Sequence, residues 1–195
     1  RQNHVANTMS APYYRFDGSN DYINVGDESD LDFSDKSFTI SAWVYRNSTD
    51  FSSDVIISKG ALGESGGYAL TAGDNSDSYD VYLQVEVTGG EYSLLRTSTE
   101  LPTDRWVNVV AVRDIDGGAT GGKIYINAVE ASYITQDDIS SVDIASSGFN
   151  ARIGSNNAGG GNWDGQISEV KIFNTALTAT EVKELYSGAS VPYKY

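Results

Sequence analysis

Short runs of alternating apolar and polar residues follow one another along most of this sequence. Between residues 79 and 87, Val81 and Leu83 fall on one face of the run, and Tyr82 and Gln84 fall on the other. This period of two is typical of a β-strand with one buried face. Similar runs predict further strands at residues 13–16, 22–25, 37–46, 55–59, 68–71, 92–97, 106–113, 123–131, 151–154 and 166–173.

Glycine-rich turns separate these runs and indicate hairpins. Gly66-Gly67 and Gly121-Gly122 each lie between two runs, and the chain has 20 glycines but only 3 prolines. Glycine adopts the backbone angles of tight hairpin turns, whereas proline interrupts the hydrogen-bond ladder of a strand. In the run at 106–113 both faces are apolar, which predicts a central strand.

One helix is predicted near the end of the chain. Thr178 and Glu181 have the spacing of a capping box, in which each side chain bonds to the other residue's backbone N–H. Val182 and Leu185 then follow on one helical face, and Gly188 is a typical stop. The whole pattern predicts an all-β fold, a two-sheet antiparallel jelly-roll sandwich with one short C-terminal helix.

The composition narrows the classes of function. The formal charge is −14, from 13 Lys and Arg against 27 Asp and Glu. This charge repels nucleic acids and anionic membranes and attracts cations, so we expect no nucleic-acid partner and consider calcium first. The chain has no cysteine and a single histidine, His4, which argues against zinc–thiolate sites, multi-histidine sites and Ser–His–Asp triads.

The chain length of 195 residues suits one domain with its own core. We predict an N-terminal arm or linker at 1–12, a single domain at 13–187 and a C-terminal tail at 188–195. No run approaches the roughly 20 apolar residues of a membrane span, so no membrane span is expected. Because the sequence starts with arginine, we expect a processed or excised piece.

Four blocks of sequence, taken in order, resemble a known domain family. They are Phe16-Asp-Gly-Ser-Asn-Asp-Tyr-Ile-Asn-Val-Gly26, Ser37-Phe-Thr-Ile-Ser-Ala-Trp-Val44, Trp106-Val-Asn-Val-Val-Ala-Val-Arg-Asp114 with Gly122-Lys-Ile-Tyr-Ile-Asn127, and the stretch from Ile153-Gly-Ser155 through Trp163 to Leu177. Their order resembles the laminin-G-like jelly roll of the concanavalin A-like lectin/glucanase superfamily. The resemblance implies two curved antiparallel sheets packed face to face, with binding loops at one edge of the concave sheet.

The end of the chain carries a second resemblance. The stretch from Glu184 to Tyr195 is similar to the run that follows such domains in structural proteins of marine bacteriophages. That similarity would suit a domain excised from a longer virion protein.

Asp17 and Asp164 are the main candidates for a structural calcium site. Asp17 follows the first predicted strand, Asp164 precedes the last, and a glycine follows each of them. In jelly rolls of the resembled family the first and last strands are commonly neighbours, and an ion there pins the chain ends together. We predict calcium on Asp17 and Asp164, with Asp21 as a further ligand. The alternative is that these aspartates only form turns.

Carbohydrate binding is predicted from the aromatic residues. The chain has 13 tyrosines, more than a core needs, because each buried hydroxyl requires a partner. Exposed rings would stack on sugars, and the candidates are Tyr68, Tyr79, Tyr82, Tyr92 and Trp163. The alternative is that these tyrosines lie on sheet faces and that the tryptophan packs across the last turn.

Two features argue against sugar binding by the other tryptophans and against catalysis. Trp43 and Trp106 lie among apolar neighbours and are predicted to fill the core. The run Glu28-Ser-Asp30-Leu-Asp32 comes closest to a glucanase motif, but it ends in aspartate and lies in a polar loop. A glycosidase needs two positioned carboxylates, so we predict no enzyme activity.

The sequence therefore predicts a non-catalytic recognition or adhesion module at an extracellular or virion surface. Its partner would be a glycan or another cell-surface ligand. The alternative is a structural subunit, such as a decoration, fibre or shell protein, of a virion or extracellular assembly. Such a subunit would contact neighbouring subunits.

Overall fold

The fold was obtained as a computed structural model, and it confirms the predicted all-β sandwich with one short C-terminal helix. The predicted arm at 1–12 and tail at 188–195 lie almost wholly outside the described residues. Within the described part of the chain, no helix is long and apolar enough to cross a membrane. The structure describes residues 12–47, 54–60, 66–73, 80–87, 91–144 and 148–188.

Two antiparallel sheets form the two layers. One has six strands in the order β1-β13-β3-β8-β9-β10, and the other has seven in the order β11-β7-β6-β5-β4-β12-β2. The elements are β1 (Tyr13–Asp17), β2 (Ile23–Gly26), β3 (Phe38–Arg46), β4 (Asp54–Lys59), β5 (Gly67–Ala72), β6 (Asp80–Glu86), β7 (Tyr92–Glu100), β8 (Trp106–Arg113), β9 (Gly122–Ile126), β10 (Val129–Glu130), β11 (Tyr133–Gln136), β12 (Ala151–Ile153), β13 (Asp164–Phe173) and the helix α1 (Ala179–Tyr186).

The main core lies between the sheets and follows the period-two pattern. Ala42 and Val44 of β3 and Leu83 and Val85 of β6 point inward and are fully buried. The prediction of a central strand at 106–113 is confirmed, because β8 lies between β3 and β9. Alternation therefore decides which side chains reach the core and which face outward from each sheet.

The helix closes part of the outer face of the six-stranded sheet. The predicted capping box is present, since Thr178 and Glu181 each accept a hydrogen bond from the other's backbone N–H. Val182 and Leu185 pack there against Val110 and Val112 of β8 in a second apolar cluster. The second apolar face of β8 is thus explained by the helix that covers it.

The predicted strand at 123–131 is in fact two strands. β9 and β10 form a hairpin whose turn residues, Asn127 and Ala128, have φ angles of 50° and 62°. Two consecutive positive φ angles are the geometry of a type I′ turn, which the apolar run around them conceals. A further strand, β11, follows at Tyr133–Gln136 and pairs with β7.

Trp43 and Trp106 do not fill the core as predicted. Both are half-buried and lie on the outer face of the six-stranded sheet. Trp43 alternates with the inward-pointing Ala42 and Val44, and its ring stacks on that of Tyr186 with centroids 5.6 Å apart. Apolar neighbours in the sequence did not predict which face these tryptophans occupy, because the outer face of this sheet is also partly apolar.

Two arginines hold the sandwich together from inside. Arg46 of β3 and Asp54 of β4 form a buried ion pair between the two sheets, with Nε and Oδ2 3.0 Å apart. Arg113, at the end of β8, is fully buried and donates to five backbone carbonyls. Those carbonyls belong to Phe33, Ser34, Lys36, Ile139 and Val142.

Candidate functional site

The three predicted calcium ligands lie on one rim of the six-stranded sheet. Asp17 and Asp164 are direct partners in the β1–β13 ladder. Asp21 accepts a hydrogen bond from the backbone N–H of Asp17 at 3.1 Å. Asp164 accepts one from the side-chain amide of Asn47 at 3.2 Å. The first and last strands of the domain are therefore neighbours, as the family resemblance implied.

A close backbone contact fixes the position of Asp164. The next residue, Gly165, has φ +145° and lies where a Cβ atom would be 2.0 Å from the carbonyl oxygen of Tyr45. Only glycine permits this approach, which brings the start of β13 against β3. The rim is thus a defined feature of the backbone and not a loose loop.

The carboxylates of the rim already take part in local hydrogen bonds. Asp17 Oδ1 accepts from the backbone N–H of Ser19 at 2.9 Å, an arrangement typical of an Asx turn. Among the described residues, no group of three or more His, Cys, Asp or Glu side chains is arranged to hold a metal ion. Calcium at this rim therefore stays a prediction.

Two of the predicted sugar-stacking residues are buried. Tyr68 is only 3% exposed, and its ring packs against Phe33 and Phe38 in the core. Trp163 is completely buried, so the glycine-rich loop that precedes it does not present its ring to a ligand. For both residues the prediction is corrected: their ring faces are already occupied by the core.

The remaining candidates face outward from the seven-stranded sheet or lie outside the described residues. Tyr92 is 57% exposed at the start of β7, whereas Tyr82 on the neighbouring β6 is 8% exposed. Tyr82 alternates with the core residues Val81 and Leu83, so its side chain lies on the outer face. Tyr79 lies outside the described residues.

The outer face of the seven-stranded sheet has small residues at its centre and large polar ones on either side. Its central row is read directly from the strand register: Asn24, Arg152, Ser58, Ala69 and Gln84 are successive partners across β2, β12, β4, β5 and β6. Opposite residues in antiparallel strands share a face. We call this surface the polar face.

The small residues form the floor of the polar face. Ser58 and Ala69 are buried, and Thr71 of the next row is fully buried as well. Arg152 and Gln84 rise on the two sides and are half-buried. Three strand spacings of about 4.8 Å separate β12 from β6, so the backbones that carry Arg152 and Gln84 lie roughly 14 Å apart.

Arg152 is bonded differently from Arg46 and Arg96, which pair with carboxylates. Its guanidinium lies 4.4 Å from the ring centroid of Tyr22, and one Nη donates to the carbonyl of Asn156 at 3.1 Å. Within the described part of the chain it meets no carboxylate, although Asp and Glu outnumber Lys and Arg by two to one in the sequence. Its Nε is buried and lacks a hydrogen-bond partner.

Two buried hydroxyl groups share this property. Thr71 Oγ1 and Ser155 Oγ are buried and make no hydrogen bond in the structure. Ser155 is tied to the floor through its carbonyl, which accepts from Ser58 Oγ at 3.1 Å. A buried polar atom without a partner is unfavourable by about 1–3 kcal/mol. A ligand or ordered water that bonded to these atoms would remove that penalty.

Carboxylates on the polar face do not form a hydrolytic pair. Asp80 is buried and bonds to Arg96, with its Oδ2 2.7 Å from Nη2. Glu86, at the other end of β6, accepts from Gln84. Asp80 and Glu86 are six residues apart on one strand, which separates them by about 20 Å. Glycosidases place their two carboxyl groups about 5–10 Å apart.

The sequence reasoning missed Arg152. The signal was present but faint: Arg152 stands alone between Ala151 and Ile153 in a short apolar run. An arginine in such a run is either buried, as Arg113 is, or faces outward, and only the register of β12 against β4 shows which applies.

Three solved structures share this fold. The binding domain of botulinum neurotoxin serotype G has a TM-score of 0.69 and 18% identity, covering 94% of this chain and 44% of that one. The CBM40 of the Ruminococcus gnavus IT-sialidase, bound to α2,3-sialyllactose, has a TM-score of 0.67 and 12% identity, covering 90% and 98%. A heptameric SAP-like pentraxin from Limulus polyphemus has a TM-score of 0.57 and 16% identity, covering 96% and 82%. This chain thus spans under half of the toxin domain.

At these identities the likeness shows the fold alone. No curated protein matches the sequence. A family model does match, from residue 17 to residue 183, and its family is described as the concanavalin A-like lectin/glucanases superfamily, Laminin_G_3. That match covers most of the chain and agrees with the two packed antiparallel sheets, so the protein belongs to the Laminin_G_3 family of the concanavalin A-like lectin/glucanase superfamily.

Proposed function

We propose that this domain is a non-catalytic glycan-binding module and that its polar face binds an acidic sugar. The observation that carries the proposal is Arg152, a half-buried guanidinium that faces outward and meets no carboxylate among the described residues. A guanidinium and a carboxylate form short, charge-assisted hydrogen bonds, often two at once. A carboxylated sugar supplies the missing group.

The rest of the polar face supports the same ligand. Asn24 and Gln84 carry amides that donate to and accept from sugar hydroxyls. Tyr92 is exposed at the start of β7, beside the end of β6, and offers a ring face to the apolar side of a sugar.

The comparisons support a recognition role outside the cell. The R. gnavus CBM40 was solved with α2,3-sialyllactose bound, and the toxin fragment is described as a binding domain. Both are similar to this chain over at least 90% of its length. The proposal carries the acidic sugar bound by the CBM40 to this chain, at an extracellular or virion surface, and assigns the contact to Arg152.

Calorimetric titration with 3′-sialyllactose and with lactose tests this proposal. The acidic sugar is expected to bind and lactose to bind at least tenfold more weakly, because lactose lacks the carboxylate that Arg152 would hold. Arg152→Met is expected to remove most of the difference. Arg105→Met is the matched control, since it removes the same charge from an exposed site. Equal binding of both sugars, or equal losses in both variants, would contradict the proposal.

We also propose calcium as a structural ion at the rim formed by Asp17, Asp21 and Asp164. The support is the pairing of Asp17 with Asp164 across the first and last strands, and the preference of calcium for carboxylate and carbonyl oxygens. Calcium should raise the melting temperature above that measured with EDTA, and Asp164→Asn should remove the rise. The same melting temperature in both buffers would exclude a structural ion.

A structural subunit of an assembly is the second candidate. The observation that favours it is exposed apolar side chains on edge strands: Val129 of β10 is 69% exposed and Ile134 of β11 is 60% exposed. Unpaired edges with apolar residues are typical contacts between chains. Analytical ultracentrifugation separates the candidates, because a subunit should form large particles, and Val129→Lys should dissolve them.

A further inference from the structure

A group of aromatic rings lies on the opposite side of the sandwich from the polar face. Tyr13, Tyr45 and Trp106 come from three strands of the six-stranded sheet and face outward. The ring of Trp106 lies 5.6 Å from that of Tyr13 and 5.8 Å from that of Tyr45, measured between centroids. We call these three residues the aromatic platform.

The platform is a continuous surface, although its residues are far apart in the sheet. β13 and β3 lie between the strands of Tyr13 and Trp106, so the two backbones stand about 14 Å apart. Their rings meet at an interplanar angle of 58°, so the two side chains reach toward each other above the strands between them. The small Ser168 of β13, the partner of Tyr13, is buried at this point.

These rings are not part of the core. Tyr13 is 51% exposed, and Tyr45 and Trp106 are half-buried. The main core lies on the other side of the same sheet, and the second apolar cluster belongs to the helix. Exposed clustered rings mark a surface that contacts something else.

Polar side chains continue the platform along the same strands. Arg15 and Gln166 lie in the same register row as Tyr45 and Trp106. Two residues further along each strand come the paired Asp17 and Asp164, which follow on the same face. The surface therefore passes from aromatic rings to hydrogen-bonding groups within about 7 Å.

We infer that the aromatic platform and this polar row form a second sugar site, one for a neutral pyranose. The apolar face of a pyranose fits flat aromatic rings, and its hydroxyls donate to carboxylates and accept from amides. Without calcium, the two carboxylates of Asp17 and Asp164 outnumber the single cation of Arg15, so this row is net acidic and disfavours a carboxylated sugar. This second site would bind neutral sugars, whereas the Arg152 site would bind acidic ones.

A second copy of the chain is a less suitable occupant. Two copies joined through this surface would bring their paired aspartates, Asp17 and Asp164, close together, and each chain carries a formal charge of −14. Like charges brought together in this way oppose association. A neutral sugar meets the same rings with no such repulsion.

The two sites would act independently. The facing sheets of a sandwich lie about 10 Å apart, and the two surfaces point in opposite directions, so one small sugar cannot contact both. On a polysaccharide or a cell surface, two sites of modest affinity on one domain would raise the overall affinity.

The test uses the whole chain and three neutral probes: cellohexaose, xylohexaose and mannohexaose. Tryptophan fluorescence and calorimetry are recorded with calcium and again with EDTA. At least one probe should bind and change the fluorescence, and Tyr13→Ala should weaken binding about tenfold, because a stacked ring is lost. Tyr13 is half exposed on an edge strand, so its replacement should leave the fold intact.

Matched controls separate this site from the polar face. Tyr14→Ala removes the neighbouring ring, which is 65% exposed and lies on the other face of β1, and should leave binding of the neutral probe unchanged. Arg152→Met should also leave it unchanged, while it weakens binding of 3′-sialyllactose.

Four results would overturn the inference. They are no binding of any neutral probe in either buffer, equal losses in Tyr13→Ala and Tyr14→Ala, loss of neutral-sugar binding in Arg152→Met alone, and a dimer that Tyr13→Ala dissolves. The first two leave the acidic-sugar proposal untouched, since that rests on Arg152.

Discussion

Arg113 and Arg152 belong to regions that use the same side chain differently. The guanidinium of Arg113 is fully buried and donates to five backbone carbonyls from two segments of the chain. The guanidinium of Arg152 is half-buried on the polar face, donates to one carbonyl and keeps a buried Nε without a partner. One arginine is satisfied by the fold, and the other is satisfied only in part.

This difference helps to distinguish structural from ligand-binding polar groups. A buried charged group must be fully hydrogen-bonded, or the fold loses stability. Arg113 meets this condition, so its role is structural. A charged group left partly unbonded near the surface indicates either an unimportant residue or a place for a ligand. The variants below are ordered by the expected change in stability, and they test that distinction.

Arg113→Met should cause the largest loss. The variant leaves five carbonyls without their donor, including those of Phe33 and Ile139, and unsatisfied buried groups are unfavourable by about 1–3 kcal/mol each. Because some of these carbonyls will find water, we expect a loss of about 4 kcal/mol in urea unfolding. A loss below about 1 kcal/mol would show that the carbonyl cluster is not structural.

Arg46→Met should lower the unfolding free energy by about 3–4 kcal/mol, because it removes the guanidinium that compensates the buried charge of Asp54. Urea unfolding of the single variant and of Arg46→Met/Asp54→Leu checks this. The double variant should recover most of the stability, since no unpaired charge remains. If the double variant is no better than the single one, the buried charge is not the cause.

Arg152→Met should change the unfolding free energy by less than about 1 kcal/mol, because the fold satisfies this side chain only partly. Its effect should appear in ligand binding instead. Saturating 3′-sialyllactose should raise the melting temperature of the parent protein and not that of the variant. A loss as large as that of Arg113→Met would place Arg152 among the structural arginines.

Tyr68→Phe should have the smallest effect, because it removes a buried hydroxyl that has no hydrogen-bond partner. We expect no change or a gain of up to about 1 kcal/mol at neutral pH. Tyr133→Phe is the control. The Tyr133 hydroxyl accepts from the backbone N–H of Ile124 at 2.9 Å, so its removal should be destabilising.

The same tyrosines predict how stability depends on pH. Burial raises the pKa of Tyr68, with a smaller contribution from Asp32, and burial raises the pKa of Tyr133 to about 12. The folded state therefore keeps these protons longer than the unfolded state does. Stability from both groups is fully present below the ordinary tyrosine pKa of about 10 and is lost as pH rises above it. Tyr68→Phe should make this alkaline fall shallower.

The sequence was informative where structure depends on neighbours along the chain. The period of two located most strands, and Thr178 and Glu181 located the start of the helix, because alternation and capping are local effects. The turn at Asn127 and Ala128 was missed because both residues lie inside an apolar run.

The tryptophans show where local patterns fail. Trp43 and Trp106 stand in apolar strands but face outward, and Trp163 follows a glycine-rich loop but is fully buried. Which face of a strand becomes the core depends on the layer packed against it, and that layer comes from distant parts of the chain. Two of the predicted sugar-stacking rings are therefore buried, while the aspartates of the predicted calcium site do meet at one rim.

The pairing of β1 with β13 has a consequence for dynamics. The two strands are about as far apart in sequence as the domain allows, and among the described strands β1 lies at the edge of its sheet and pairs only with β13. Edge strands that depend on distant partners are typical of segments that detach before the whole domain unfolds. Tyr13 and Asp17 would detach together with β1. A sugar that contacts both β1 and β8 would therefore hold β1 against the sheet. Its binding should slow amide exchange along β1 most of all.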